Sequence, residues 1–481
     1  MTKINNLVED AYRRVEQEQQ KVASDMYRLQ FHLMPPVGLL NDPNGFIQID
    51  EVYHVFYQWN PFETAHGAKF WGHFTSTDLV NWTTEPIALA PDQWYDKNGC
   101  YSGSAIEHDG KMYLFYTGNV KEDNGERSTY QCMAVSEDGI SFEKKGPVIH
   151  LPKGYTAHFR DPKVWKSGNE WLMVLGAQNL KHEGEAVLYR SDNLFEWEFL
   201  GPAAGSQMNE LEEFGYMWEC PDLFQLDGHD VLIVSPQGLE PEGDHFHNLY
   251  QSGYFIGKLD PQTKRLQHGT FTELDRGFDF YAPQTTLDSE GRRLLIAWMG
   301  ITDEMEKYQP TIEHNWIHAL TIPRELKIVN NKIYQKPATE LKALRKNEVR
   351  YKAVCLEAGI VKNFSDIQGD SLEMQLDFND SIAGIFEMEI RDNIKISYHS
   401  TERLFTLERK NLKDGKKEFR RCALEKLHKL HIFLDTSSIE IFLNDGEEVC
   451  TARFFAKEND KCITFYSDQI ETFDLSKWGL K

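Results

Sequence analysis

Lysine and arginine are scarce beside aspartate and glutamate in this 481-residue chain, 52 against 75, for a formal net charge of −23. Phosphate backbones are held by basic surfaces, so this deficit excludes broad contact with nucleic acid. Cysteine is sparse as well. The seven cysteines, at positions 100, 132, 220, 355, 422, 450 and 462, are odd in number and scattered. They form no Cys-x-x-Cys pair and no Cys/His cluster at zinc spacing, which excludes a disulfide scaffold or structural zinc and fits reduced thiols. Long apolar runs are missing. No segment is uninterrupted enough to span a membrane, and the start MTKINNLVEDAYRRVEQEQQ lacks the apolar core of a signal peptide. Instead, Leu7, Ala11, Tyr12 and Val15 with charges between them predict an amphipathic helix. A cytoplasmic protein with no membrane partner is expected.

What is present is length and repetition. The chain is too long for one ordinary domain, so two are expected. Five segments share a form, a motif, a short strand, a turn and a second apolar strand: NDPNGFIQIDEVYHVFYQ, YSGSAIEHDGKMYLFYTG, RDPKVWKSGNEWLMVLGA, ECPDLFQLDGHDVLIVSP and APQTTLDSEGRRLLIAWM. With Pro43, Gly103, Pro162, Pro221 and Pro283 as equivalent points, the steps are 60, 59, 59 and 62 residues. A second echo, STDLVNW, SEDGISF and SDNLFEW, reads as an outer strand after an acidic turn. Self-similarity at one period indicates an array of one supersecondary unit, and units of three or four short strands without a helix predict a five-bladed β-propeller. A sandwich or barrel also shows strands at regular spacing. In a propeller, equivalent positions of successive blades converge at one end of the channel. Asp42, Asp161 and Glu219 hold nearly equivalent positions in units one, three and four.

After TIPREL the pattern changes. The stretch KPATELKALRKNEVRYKA reads as a linker, and SLEMQLDF, GIFEMEI, NIKISYH, KLHIFLD and SIEIFLNDG alternate apolar and polar residues, which predicts a second all-β domain, a sandwich. The expected layout is a helical extension over 1–30, a propeller over 31–338 and a sandwich over 350–481.

Glycoside hydrolysis needs two carboxyl groups, one protonated and one ionised. Asp42 sits in Asn-Asp-Pro-Asn-Gly, where a tight turn presents it and Asn41 and Asn44 can orient it; turn chemistry alone also accounts for that string. Glu219 follows Tyr216, Met217 and Trp218, so apolar surroundings are expected to raise its pKa as a general acid requires, although an edge-strand glutamate reads the same. Asp161 follows Arg160, whose charge favours ionisation and makes the aspartate a hydroxyl acceptor, or half of a structural pair. Sugar sites also need flat faces and polar side chains. Gln58, Trp71, Tyr101, Ser102 and Trp298 fall at or next to equivalent strand positions, and at least half of such aromatics belong to a core.

With these residues assembled, the chain closely resembles glycoside hydrolase family 32, the invertase, fructanase and sucrose-6-phosphate hydrolase family. The resemblance runs from FHLMPPVGLLNDPNG through Arg160-Asp161-Pro162, Glu219-Cys220 and TIPREL, and returns at SIEIFLNDG. It implies a five-bladed propeller followed by a sandwich, with Asp42 as nucleophile, Glu219 as acid/base and Asp161 holding fructose hydroxyls. It further implies that Asn41, Gln58, Trp71, Tyr101, Ser102, Arg160 and Trp298 shape the fructose subsite, and that no metal or organic cofactor is needed. Where many members carry a Trp before the Trp71-Gly72 pair, this chain has His66 in HGAKFWGH. That form resembles bacterial sucrose-6-phosphate hydrolases, so His66 and Lys69, with His158, are the candidate phosphate contacts. The expected partner is a small sugar, sucrose 6-phosphate or sucrose. A fructan exo-hydrolase, a fructosyltransferase and a noncatalytic sugar-binding propeller are the alternatives.

Overall fold

A computed structural model describes residues 4–209, 211–378 and 381–481. The chain opens with the helix Ile4–Ala23. Its apolar stripe, with Ala11 and Val22 buried and Leu7, Val8 and Val15 packed beside them, lies on the first part of the following β domain. Tyr12, also expected on that stripe, sits at its margin, where its hydroxyl accepts a 2.9 Å hydrogen bond from the Ile87 amide.

After the helix the described residues form strands, nearly all paired antiparallel, with loops and short 3₁₀ turns between them. Up to Pro337 the strands form five sheets of four or five strands. Each begins with one of the five repeated hairpins, whose first strands are Gly38–Ile49, Cys100–His108, Tyr155–Ser167, Met217–Leu226 and Tyr281–Leu287. Each of these first strands packs against that of the next sheet, and the fifth packs against the first. The two-residue strand Trp316–Ile317 pairs in parallel with Gly38 and Leu39, stitching the end of this region onto its beginning. Because the sheets pack face to face, the second strands are buried on both faces over nearly their whole length, with apolar centres, as in Glu170–Asn179 and His229–Gln237.

The echo STDLVNW, SEDGISF and SDNLFEW proves to be a turn between the third and fourth strands rather than a strand. Asp78, Asp138 and Asn193 each accept hydrogen bonds from backbone amides two and three residues on, such as Ser141 N to Asp138 Oδ1 at 2.7 Å. That local bonding diverts the backbone from the ladder.

The second domain is a sandwich of two six-stranded sheets. Alternation is clean on Ile394–His399, one face in and one out. Ser438–Leu443 is buried on both faces, because its outer side lies against the first domain. The segment read as a linker to Ala353 already belongs to the sandwich from Arg345. It is the edge strand Arg345–Leu356, paired with Glu471–Leu480, and its exposed charges are what an edge strand carries.

Charges clamp the domains together. Arg324 of TIPREL donates to Glu440 of SIEIFLNDG through Nε and Nη2 at 3.1 and 2.6 Å and to Asp275 through Nη1 at 3.1 Å. His32 stands between Asp435, 2.8 Å from Nδ1, and Glu440, 3.0 Å from Nε2. All of these side chains are fully buried.

Candidate active site

The five first strands break register at the same place. Pairing slips between Leu40 and Pro43, Tyr101 and Gly103, Arg160 and Lys163, Glu219 and Asp222, and Tyr281 and Gln284. A bulge inserts a residue and re-aims its neighbours. Three of the inserted residues are left-handed, Asp161 at φ 66°, Cys220 at 47° and Ala282 at 49°, a conformation costing about 1–3 kcal/mol each for a non-glycine residue. The repeated strain turns Asn41, Tyr101, Arg160, Glu219 and Tyr281 toward one cavity of about 770 Å³, which Asp42 and Asp161 also line. A larger groove, about 890 Å³, lies outside, between the first two sheets, and holds none of the motif residues.

Asp42 is held by a ring of neutral donors. Asn41 Nδ2 donates to Gln58 Oε1 at 2.9 Å, Gln58 Nε2 donates to Ser102 Oγ, and Ser102 Oγ donates to Asp42 Oδ2 at 2.5 Å. Asn41 Nδ2 also reaches Asp42 Oδ1 at 3.2 Å. Burial raises the Asp42 pKa, and the nearby Glu219 charge adds to this, while the Ser102 and Asn41 bonds and the Lys69 charge oppose it.

Asp161 Oδ2 accepts from the Cys220 amide at 2.9 Å. The Cys220 thiol lies between the two aspartates, 3.8 Å from Asp42 and 3.6 Å from Asp161. Burial, partly offset by the Arg160 charge, pushes Asp161 up to about 7.

Glu219 is the most tightly gripped of the three. Arg160 donates to its Oε1 through Nε and Nη2 at 2.9 and 2.5 Å, and Oε2 accepts from Gln237 at 2.8 Å and from the Tyr281 hydroxyl at 2.6 Å. The apolar surroundings expected from the sequence are absent. Side chains alternate along a strand, so Trp218 points away from Glu219 and stacks on Phe255. Arg160, expected to serve Asp161, keeps its Nε 4.0 Å from that residue.

Of the residues singled out in the sequence, Asn41, Asp42, Gln58, His66, Lys69, Tyr101, His158, Arg160, Asp161, Glu219 and Trp298 line the cavity. Ser102 does not; it is buried behind Asp42. Trp71 does not either. It lies in the apolar cluster with Phe56 and Tyr116, its Nε1 donating to the Tyr101 carbonyl at 3.1 Å, because its strand faces the second sheet at that position. Gln237 and Tyr281 escaped sequence reading, though Tyr281 stands in the fifth unit where Glu219 stands in the fourth. Glu306 escaped it as well: it binds His318 at 2.8 Å and His66 at 3.1 Å. Burial would raise its pKa, but these two bonds prevail and hold it at about 2.

Lys69 is buried with its Nζ unpartnered, and burial pushes it down to about 7 against the opposing charges of Asp42 and Glu306. Asn41 Oδ1 and Trp298 Nε1, on two other residues of the cavity lining, are likewise buried without partners. Buried polar atoms are seldom left unbonded. The amide, hydroxyl and carboxyl side chains that line the cavity suit a ligand rich in hydroxyls, and the three carboxyl groups among them are the means of acid/base and nucleophilic chemistry on it.

Comparison with known proteins finds relatives over the whole chain. The model of the glycosyl hydrolases family 32 N-terminal domain matches residues 32–337, and that of the family 32 C terminal matches residues 340–478. A sucrose-6-phosphate hydrolase of Bacillus subtilis (strain 168) is 52% identical over 471 residues, 98% of each chain. Among solved structures, a sucrose-6-phosphate hydrolase from Lactobacillus gasseri matches with a TM-score of 0.88 and 32% identity, covering 98% of this chain and 96% of that one. A Bombyx mori beta-fructofuranosidase mutant in complex with sucrose matches with a TM-score of 0.85 and 31% identity, covering 100% and 99%.

Proposed function

The chain belongs to glycosyl hydrolase family 32, and from that membership and the cavity we propose that it is a retaining β-fructofuranosidase cleaving sucrose 6-phosphate, and sucrose, into fructose and glucose 6-phosphate or glucose. One observation carries the reading: Asp42, Asp161 and Glu219 come from three separate sheets to line a single cavity. Retaining glycosidases pair a nucleophilic carboxylate with an acid/base carboxyl group.

Asp42 attacks the anomeric carbon of fructose. Its hydrogen-bond ring aims the carboxylate while leaving no cation paired to it, which keeps it nucleophilic. Glu219 protonates the glycosidic oxygen and then activates water against the fructosyl ester. Asp161 accepts fructose hydroxyls. Burial raises the pKa of both Asp42 and Asp161, and the Glu219 charge adds to it at each. Fructose hydroxyls donating to Asp161 favour its ionised form, and the leaving sugar excludes water from around Glu219. Asn41, Lys69, His66 and Trp298 bind sugar hydroxyls. Ser102 acts from behind Asp42, and Tyr101 and Arg160 border the leaving sugar.

We further read the ring of five sheets as the blades of a β-propeller over residues 31–338 and place the enzyme in the cytoplasm, where phosphorylated sugars occur. No helix among the described residues is long and apolar enough to cross a membrane. Steady-state rates on sucrose 6-phosphate, sucrose, inulin and levan test the substrate. A preference for fructans overturns it, and fructosyl oligomers as the main product at high sucrose mark a transferase instead.

A further inference from the structure

The strand Lys111–Lys121 runs through a tight turn and returns as Arg127–Ser136. Register places Lys121 opposite Arg127 and Asn119 opposite Thr129. Alternate residues share a face, so Thr117, Asn119 and Lys121 on one strand lie beside Arg127 and Thr129 on the other, and all five line the active-site cavity. Two like charges directly opposed destabilise a strand pair. Yet neither cation has a carboxylate partner among the described residues, and nearby Glu122 is bound to Lys97 at 2.8 Å.

The other basic groups of the cavity are engaged or overlooked by acids. Arg160 holds Glu219, His158 bonds to Arg160 at 3.0 Å, and His66 bonds to Glu306. Lys69 feels both Asp42 and Glu306. A phosphate beside His66 and Lys69 would therefore meet two carboxylates.

Position decides the matter further. Thr129 Oγ1 and Gln131 Nε2 donate to the Phe159 carbonyl at 2.9 and 3.0 Å. These bonds tie the hairpin to the strand that carries His158 and Arg160, and the Arg127 charge is felt at His158 and at Tyr101. The hairpin thus stands on the Glu219 side. In sucrose 6-phosphate the phosphate is on the glucose, whose glycosidic oxygen must meet Glu219. The far end of the leaving sugar then extends away from Asp42, toward this hairpin.

We infer that Lys121 and Arg127 form the phosphate subsite, gripping the leaving glucose 6-phosphate and setting the preference for the phosphorylated substrate. The inference rests on the substrate reading above. An arginine fork with an ammonium opposite it suits a dianion, supplying paired hydrogen bonds and a second charge. Against a net charge of −23, such a patch also reverses the field at the mouth.

The test compares the enzyme with Lys121→Ala, Arg127→Ala and the double variant on sucrose 6-phosphate and sucrose, and measures inhibition by glucose 6-phosphate. Both residues are exposed and face each other as like charges, so melting temperatures should not fall. The KM for sucrose 6-phosphate and the inhibition constant of glucose 6-phosphate should rise roughly ten- to a hundredfold, as loss of charge-assisted hydrogen bonds implies. The kinetics on sucrose should stay as they are. Lys69→Met should instead impair both substrates alike. An unmodified enzyme with no preference for the phosphorylated sugar overturns the substrate reading and the subsite with it. A preference that survives in the double variant overturns the subsite alone.

Discussion

Arg160 spends its guanidinium on Glu219, reaching Oε1 at 2.9 and 2.5 Å, while its Nε stays 4.0 Å from its own neighbour Asp161. The pairing fixes the carboxyl that must deliver a proton and leaves Asp161 free to meet the sugar. A lysine has the charge but not the fork. Arg160→Lys should therefore lower kcat about tenfold or more, with a smaller effect on KM, because the acid is mispositioned rather than the sugar unbound. A variant in which KM alone changes would assign Arg160 to sugar binding instead.

Asp42→Asn and Glu219→Gln should each remove most turnover, about 10²–10⁴-fold for the acid/base and more for the nucleophile. Neither should unfold the protein. The Asp42 pKa is raised by burial, so its ionised form costs stability, and that cost is present once pH rises through the folded value. The Asp42→Asn variant should melt at or above the parent near neutral pH. A clearly lower melting temperature in calorimetry would make Asp42 a structural residue.

Burial pushes the Asp161 carboxyl up to about 7, against an ordinary value near 3.9. Below that ordinary value its protonated form costs nothing; as pH rises toward and through about 7, stability is lost. As a hydroxyl acceptor it must be ionised, so kcat/KM should fall as pH drops below about 7. Asp161→Asn should flatten that acid limb, depress kcat at every pH and raise the melting temperature above pH 7. An unchanged acid limb would place its titration elsewhere.

His32 belongs to the clamp between domains. Burial lowers its pKa, but the bonds to Asp435 and Glu440 prevail and raise it. Its contribution is complete below the ordinary histidine value near 6.5 and is lost as pH rises through the higher folded value. The melting temperature should decline on the alkaline side, and His32→Gln should remove that decline while lowering the melting temperature below it. Removing one partner of a buried pair costs about 3–5 kcal/mol. Equal melting temperatures for the two proteins at pH 6 would show that the clamp adds nothing.

How the site was legible follows from where its information lies. Asp42, Asp161 and Glu219 could be found because each stands just before or within a motif that recurs every sixty residues or so, and the prolines after Asp161 and Cys220 mark bulges that re-aim side chains. Partnership was less legible. That Trp218 faces Phe255 and that Arg160 reaches Glu219 across two sheets are consequences of strand alternation and bulge geometry, which adjacency in sequence misrepresents. Trp71 looked like a sugar platform and is core, since an aromatic on a strand covered on both faces has nowhere else to go. Lys121 and Arg127 gave no signal, because KEDNGER reads as a solvated turn until the register shows both cations on the cavity face. The clamp was visible only as unexplained motifs: FHL, TIPREL and SIEIFLNDG contain His32, Arg324 and Glu440, three residues that meet between the domains.

A double displacement on Asp42 leaves its mark in the configuration of the first product. In buffer containing methanol, the fructosyl group is captured before it can change anomeric form, and NMR reads its configuration. Retention, with methyl β-fructofuranoside formed from sucrose by the parent enzyme and none by Asp42→Asn, is the predicted result; the α-anomer as the first product would contradict it.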